Sequence, residues 1–325
     1  MNNWIVIGII AGLVAGLLQA GGGTGNSLAA LLVFLAPLPL FIAGLGWGAV
    51  TAALATLVMA IGFLVGFGWQ QALVVILSSG LAPVALSWLA LKNRPASASP
   101  SDEGEVADTG VEWYPEGRLV IWTVLISAAL TMLVILALGP TVDQFRASAA
   151  EQLKPVFESL AKQPNAPTAE QIENLKNYTL ALLPATMCGV WGVLTMINMW
   201  LAGNILNASG HGARPWAEFG KLAFPKWAIW LLSGSAMATF LPGMLGQFAW
   251  ILTAAMMLAY AILGLAVMHG LLEGNQFRSG LLATFYFLLV LLNFTVLVPL
   301  VMLAMFDQSF NIRKRRLSGS TNKSD

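Results

Sequence analysis

The sequence predicts an all-α fold, a polytopic transmembrane helix bundle of about eight to ten membrane segments with an amphipathic extracytoplasmic segment. Composition is the first reason: 58% of the 325 residues are hydrophobic and 10% are charged, whereas a soluble domain carries about 25% charged residues to face water. The mean hydropathy of +0.76 agrees. The second reason is where the charges fall. Residues 1–91 hold no Asp, Glu, Lys, Arg or His, and neither do 119–142, 177–210, 227–268 and 279–306. The third is continuity: these runs are apolar throughout, not alternating as the strands of a membrane barrel would be. A formal net charge of +1 leaves no basic field for nucleic acid.

The elements follow in order. Met1-Asn2-Asn3 lacks the basic residues of a cleaved signal, so Trp4–Leu18 is taken as the first retained span. It stops at the glycine run beginning at Gly21. Helix 2 covers Ser27 to Ala43, with Pro37 and Pro39 breaking its second half. Helix 3 covers Trp47 to Phe67 and helix 4 Gln71 to Leu91, completing an N-terminal membrane half, residues 1–91. Residues 92–117, rich in Pro, Ala and Ser and then acidic, read as a cytoplasmic, solvated and mostly disordered linker.

The C-terminal half, residues 118–312, opens with helix 5, Leu119 to Leu138. The extracytoplasmic segment 141–178 carries Val142, Phe145, Ala149, Leu153, Val156 and Leu160 at helical spacing, with an interruption expected near Pro155. Thr168 and Gln171 form a capping-box pattern that opens a helix running into helix 6, Thr179 to Asn207. Helix 7 spans Trp227 to Phe240 and helix 8 Gln247 to Leu271. The last apolar run, Gly280 to Phe306, is long for one span and short for two. Residues 313–325 form a basic cytoplasmic tail.

The positive-inside rule bears on that run. With Arg313-Lys314-Arg315-Arg316 inside, a single final helix puts Lys92, Arg94, Arg118, Arg214, Lys221, Lys226 and Arg278 outside; a hairpin turning near Asn293 puts them all inside. The charge count favours the hairpin, an even number of crossings and both termini in the cytoplasm.

Chemistry-bearing residues are few. Gly8, Gly12 and Gly16, with Ala11 and Ala15 beside them, make a small-residue stripe on helix 1. Such a stripe serves either packing within the bundle or docking of a membrane-protein partner. On helix 6, Trp191, Thr195 and Asn198 share a face at i, i+4 and i+7. An amide in lipid is usually glue between helices; the alternative is a pocket for a neutral small molecule, with Trp as a wall and Asn as donor and acceptor. Cys188, the one cysteine, reads as a small packed residue. His269 and Asp307 fall at helix ends and His211 in a loop, so no carboxylate or histidine is expected within the membrane to support acid–base catalysis or bind a metal. The expectation is therefore no enzyme, no metal and no cofactor.

Three further stretches carry a likeness. They are Phe34-Leu35-Ala36-Pro37-Leu38-Pro39-Leu40-Phe41-Ile42-Ala43-Gly44-Leu45-Gly46-Trp47; Asn198 followed by Phe219-Gly220-Lys221-Leu222-Ala223-Phe224-Pro225-Lys226-Trp227; and Phe306-Asp307-Gln308-Ser309-Phe310-Asn311-Ile312-Arg313-Lys314-Arg315. This pattern resembles the YybS-like family of bacterial polytopic membrane proteins, a domain of unknown function. The resemblance implies a bacterial inner-membrane protein. That family is in turn similar in fold to the S components of energy-coupling-factor transporters, some of which dock a coupling subunit through an Ala-x-x-x-Ala stripe on the first helix. Ala11 and Ala15 have that spacing. The extra helices and the linker depart from a six-helix S component. Two functions remain: a small-molecule-binding, transporter-like component, or a structural scaffold of the cell envelope.

Overall fold

The structure, a computed structural model, describes residues 3–24, 31–95, 110–164, 166–292, 297–313 and 315. Within them are eleven α-helices and one short two-stranded ribbon, so the chain is an all-α membrane bundle. Five helices are long and apolar enough to cross a membrane: Ala49–Phe67, Trp69–Ala90, Glu116–Leu138, Ala169–Ala208 and Gly243–Leu271. The helices are α1 (Trp4–Ala20), α2 (Pro37–Trp47), α3 (Ala49–Phe67), α4 (Trp69–Ala90), α5 (Glu116–Leu138), α6 (Val142–Ala161), α7 (Ala169–Ala208), α8 (Ala228–Ala238), α9 (Gly243–Leu271), α10 (Arg278–Leu292) and α11 (Leu297–Phe310). Contacts divide the chain into two units, one of residues 1–123, 193–226 and 259–325, the other of 124–192 and 227–258.

In the first unit, α1 to α4 pack on one another. Their core is small and dry: Ala11, Ala15, Leu40, Ala43, Ala55, Met59, Phe63, Ala72 and Val75. The joints between α2 and α3 and between α3 and α4 are single glycines, Gly48 at φ 100° and Gly68 at φ 88°. Only glycine takes such angles without cost, so the apolar run turns there without a polar loop. Gly12 faces α3 so closely that a β-carbon on it would lie 2.7 Å from Val58 Cβ.

The break expected at Pro37 and Pro39 lies just before them; two other expectations need correction. Residues 31–33 are helical, 34–36 form a turn, and Pro37 and Pro39 occupy the first turn of α2, where a missing N–H costs nothing. Pro155 does not interrupt α6, which is continuous over 20 residues. Pro155 and its neighbours Glu151, Gln152 and Lys154 are exposed, so the Glu151 carbonyl that loses its helix donor lies where solvent can reach it. The ends of the 92–117 linker are not loose. Asn93, Arg94 and Pro95 pair antiparallel with Trp113, Glu112 and Val111. Arg94 grips Glu112 through two bonds of 2.8 and 2.9 Å, and this contact raises the arginine pKa above its ordinary value. The centre of the linker, 96–109, lies outside the described residues.

The final apolar run is two helices, α10 of 15 residues and α11 of 14; the turn expected near Asn293 lies outside the described residues. The capping box is present as read. Thr168 N donates to Gln171 Oε1 at 2.8 Å, and Gln171 N donates to Thr168 Oγ1 at 3.2 Å. The helix they open continues for 40 residues.

In the second unit, Phe145 and Ala149 are the buried residues of α6. Ser148 Oγ donates back to Leu138 O at 2.8 Å, fixing α6 to the end of α5. Cys188 is buried, in line with a packing role.

Candidate functional site

Asn198 is fully buried in the first unit. Its Nδ2 donates to Leu194 O at 2.7 Å within α7 and to Phe34 O at 2.9 Å across to the turn before α2. The proline-bearing stretch explains the second bond. Leu38 N donates to Leu35 O at 3.0 Å, so the Phe34 carbonyl does not have the donor an α-helix would give it. A carbonyl stranded in an apolar interior is costly, and the Asn198 amide supplies the missing donor. Asn198 Oδ1 is buried with no partner. Thr195, one turn earlier on the same helix, is buried in the same unit. Trp191 is half-buried and belongs to the second unit. Of the three candidate residues, Thr195 and Asn198 are thus placed together by the first unit.

The stripe on α1 is occupied by the chain itself. Gly8 faces Leu54, Gly12 faces Ala55 O and Val58, and Gly16 faces Met59 at 3.9 Å, all on α3. Ala11 and Ala15 are in the core. The face of α1 left open is the opposite one, with Ile9, Ile10, Leu13 and Leu17.

Two arginine clasps were not legible in the sequence. The Arg214 side chain is 5% exposed. Its guanidinium donates to Ala90 O at 3.0 Å, Tyr114 O at 3.2 Å and Glu116 Oε1 at 3.2 Å, and it lies 4.7 Å over the Trp216 ring. Burial pulls its pKa below the ordinary arginine value, and Glu116 opposes that pull. The cavity beside it, lined by Leu45, Gly203, Leu206, Asn207 and Trp216, measures about 10 Å³, room for one water. In the second clasp Arg313 binds Asp307 through Nε at 2.8 Å and Nη2 at 2.7 Å, and Nη1 donates to Gly220 O at 2.6 Å. Beside it Tyr260 Oη donates to Gln308 Oε1 at 2.7 Å, and Gln308 Nε2 to Pro225 O at 3.0 Å. The one hint in the sequence was the polar residues within Phe306–Arg315; nothing marked their partners.

The two clasps gather the end of α4, the start of α5, the loop 209–226 and the end of α11, and the contact of Arg313 with Gly220 brings the end of the final apolar run to that loop.

Residues 26–308 match a protein family described as "Predicted membrane protein (DUF2232)". The chain belongs to that family. As a DUF2232 member it is an integral membrane protein, and the match includes Asn198, both clasps except Arg313, every helix from α2 to α10 and most of α11, while α1 with its stripe precedes it. Comparisons with curated proteins and with solved structures gave no match.

Proposed function

We propose that this DUF2232 protein is a small-molecule-binding, transporter-like component of the bacterial inner membrane, acting without a covalent catalytic step. The observation that supports this reading is the turn at 34–36, where the α-helical bonding pattern is interrupted inside an apolar run, tied to the fully buried Asn198 with its unpartnered Oδ1. Irregular backbone at membrane depth is tolerated only where protein or a polar cavity surrounds it. Interrupted helices are also a common device for seating a transported solute. Asn198 Oδ1 accepts hydrogen bonds, and no ionic group stands within residues 1–91, so the ligand class is a neutral molecule bearing an N–H or O–H donor.

The scaffold reading keeps one observation in its favour: α6 and the first turns of α7 leave Val156, Leu175 and Tyr178 exposed. Purification in mild detergent, followed by native mass spectrometry, separates the two. A stoichiometric neutral small molecule supports the first. Co-purifying envelope proteins without such a molecule support the second.

On this reading both termini and the clasp side are cytoplasmic. In a Cys188→Ala background, an impermeant thiol reagent added outside should label Gln163→Cys, but not Ser99→Cys or Ser318→Cys until the membrane is opened. Labelling of Ser318→Cys in intact cells would reject the orientation.

A further inference from the structure

A polar cluster in α4 is used by none of the above. Residues Ile76–Gly80 form a π-turn in the middle of this 22-residue helix. The Leu81 N–H reaches back five residues to Ile76 O, the spacing of a π-turn and not of an α-helix. Mid-helix π-turns of this kind recur at functional sites. Ser79 is buried, and its Oγ donates to Gln19 Oε1 of α1 at 3.0 Å. Ser78 Oγ lies 3.4 Å from Ser79 Oγ. On the adjoining residue, Gly80 packs against Thr56 of α3, whose methyl carbon is nearest to where a Gly80 β-carbon would stand and whose Oγ1 lies 3.1 Å from that point. Thr56 is buried and that hydroxyl has no partner. Three helices thus place neutral oxygens around a single distorted turn: Gln19 of α1, Thr56 of α3, and Ser78 and Ser79 of α4.

We propose that this π-turn binds a partly dehydrated monovalent cation of sodium size. Oxygen donors suit a hard cation, and unwound carbonyls in membrane helices coordinate sodium in transporters. A divalent ion would require carboxylates, and residues 1–91 contain none. An anion would require a cation or a set of free N–H groups, whereas the groups here are hydroxyls and carbonyl oxygens. The cation shares no residue with Asn198, so the site stands or falls apart from the small-molecule reading.

The test is thermal unfolding of the full-length protein in detergent, with no organic solute added, in NaCl against choline chloride and KCl of equal ionic strength. The parent should show a sodium-specific rise in midpoint of a few degrees that saturates with concentration. Thr56→Val and Ser79→Ala should lose most of that rise, and Asn198→Leu should keep it. Thr56→Val conserves shape and removes a hydroxyl without protein partners, so it should fold and decides the matter if Ser79→Ala does not. Absence of a sodium-specific rise in the parent overturns the proposal. So does a rise that survives in Thr56→Val, because the hydroxyls would then be packing only.

Discussion

Asn198→Leu should destabilise the protein by about 1–3 kcal/mol, read as a lowered midpoint of thermal unfolding in detergent. Leucine has nearly the same volume, so little of that loss comes from a cavity. What goes is the pair of bonds from Nδ2 to Leu194 O and Phe34 O. The Leu194 carbonyl lies within the helical ladder of α7 and is barely affected. The Phe34 carbonyl is left in an apolar interior, since Leu38 N is turned to Leu35. A second variant isolates that cause. In a Pro37→Ala, Pro39→Ala background the helix can continue through the turn, and Leu38 N can serve Phe34 O. There Asn198→Leu should cost distinctly less than in the parent. Equal losses in both backgrounds would show that Asn198 acts through something other than the Phe34 carbonyl.

The same residue shows what the sequence could reveal. An amide among apolar neighbours was recognisable as glue or pocket, because lipid offers it nothing to bond. Its partner was not, since the need arises 164 residues away, from two prolines read there as a break in an established helix. Local signals translated well. The capping box at Thr168 and Gln171 formed as written, because its geometry is confined to four residues. The small-residue stripe was visible as a close-packing face, but spacing alone does not say which helix fills it; the answer is α3. Pro155 misled because a proline's effect depends on whether water can reach the carbonyl it abandons. The clasps were hidden for another reason. Arg214 and Glu116 are 98 residues apart, and isolated charges between apolar runs look alike whether they are solvated or buried.

The Arg214 clasp should be worth more than any other polar contact described here. Arg214→Met is expected to cost about 3–5 kcal/mol. The side chain is almost wholly enclosed, at 5% exposed, and its partner Glu116 is 19% exposed, so solvent screens neither charge much. Methionine can fill much of the space over Trp216, but it takes the guanidinium away from the Glu116 carboxylate and from the Ala90 and Tyr114 carbonyls. Arg214→Lys should recover little. One ammonium cannot span acceptors arranged around a planar guanidinium, nor lie flat on the Trp216 ring. Adding Glu116→Gln to Arg214→Met should recover more. Glutamine removes the enclosed negative charge and keeps an Oε1 for the Ala217 N–H that Glu116 now accepts. Lys154→Met is the control: both members of its ion pair with Glu151 are exposed, at 58% and 75%, so the midpoint should stay close to the parent's. Thermal unfolding followed by intrinsic fluorescence reads all four variants. If Arg214→Met and Lys154→Met shift the midpoint equally, burial gives the clasp no special weight, and the joining of α4, α5 and the 209–226 loop must rest on apolar packing.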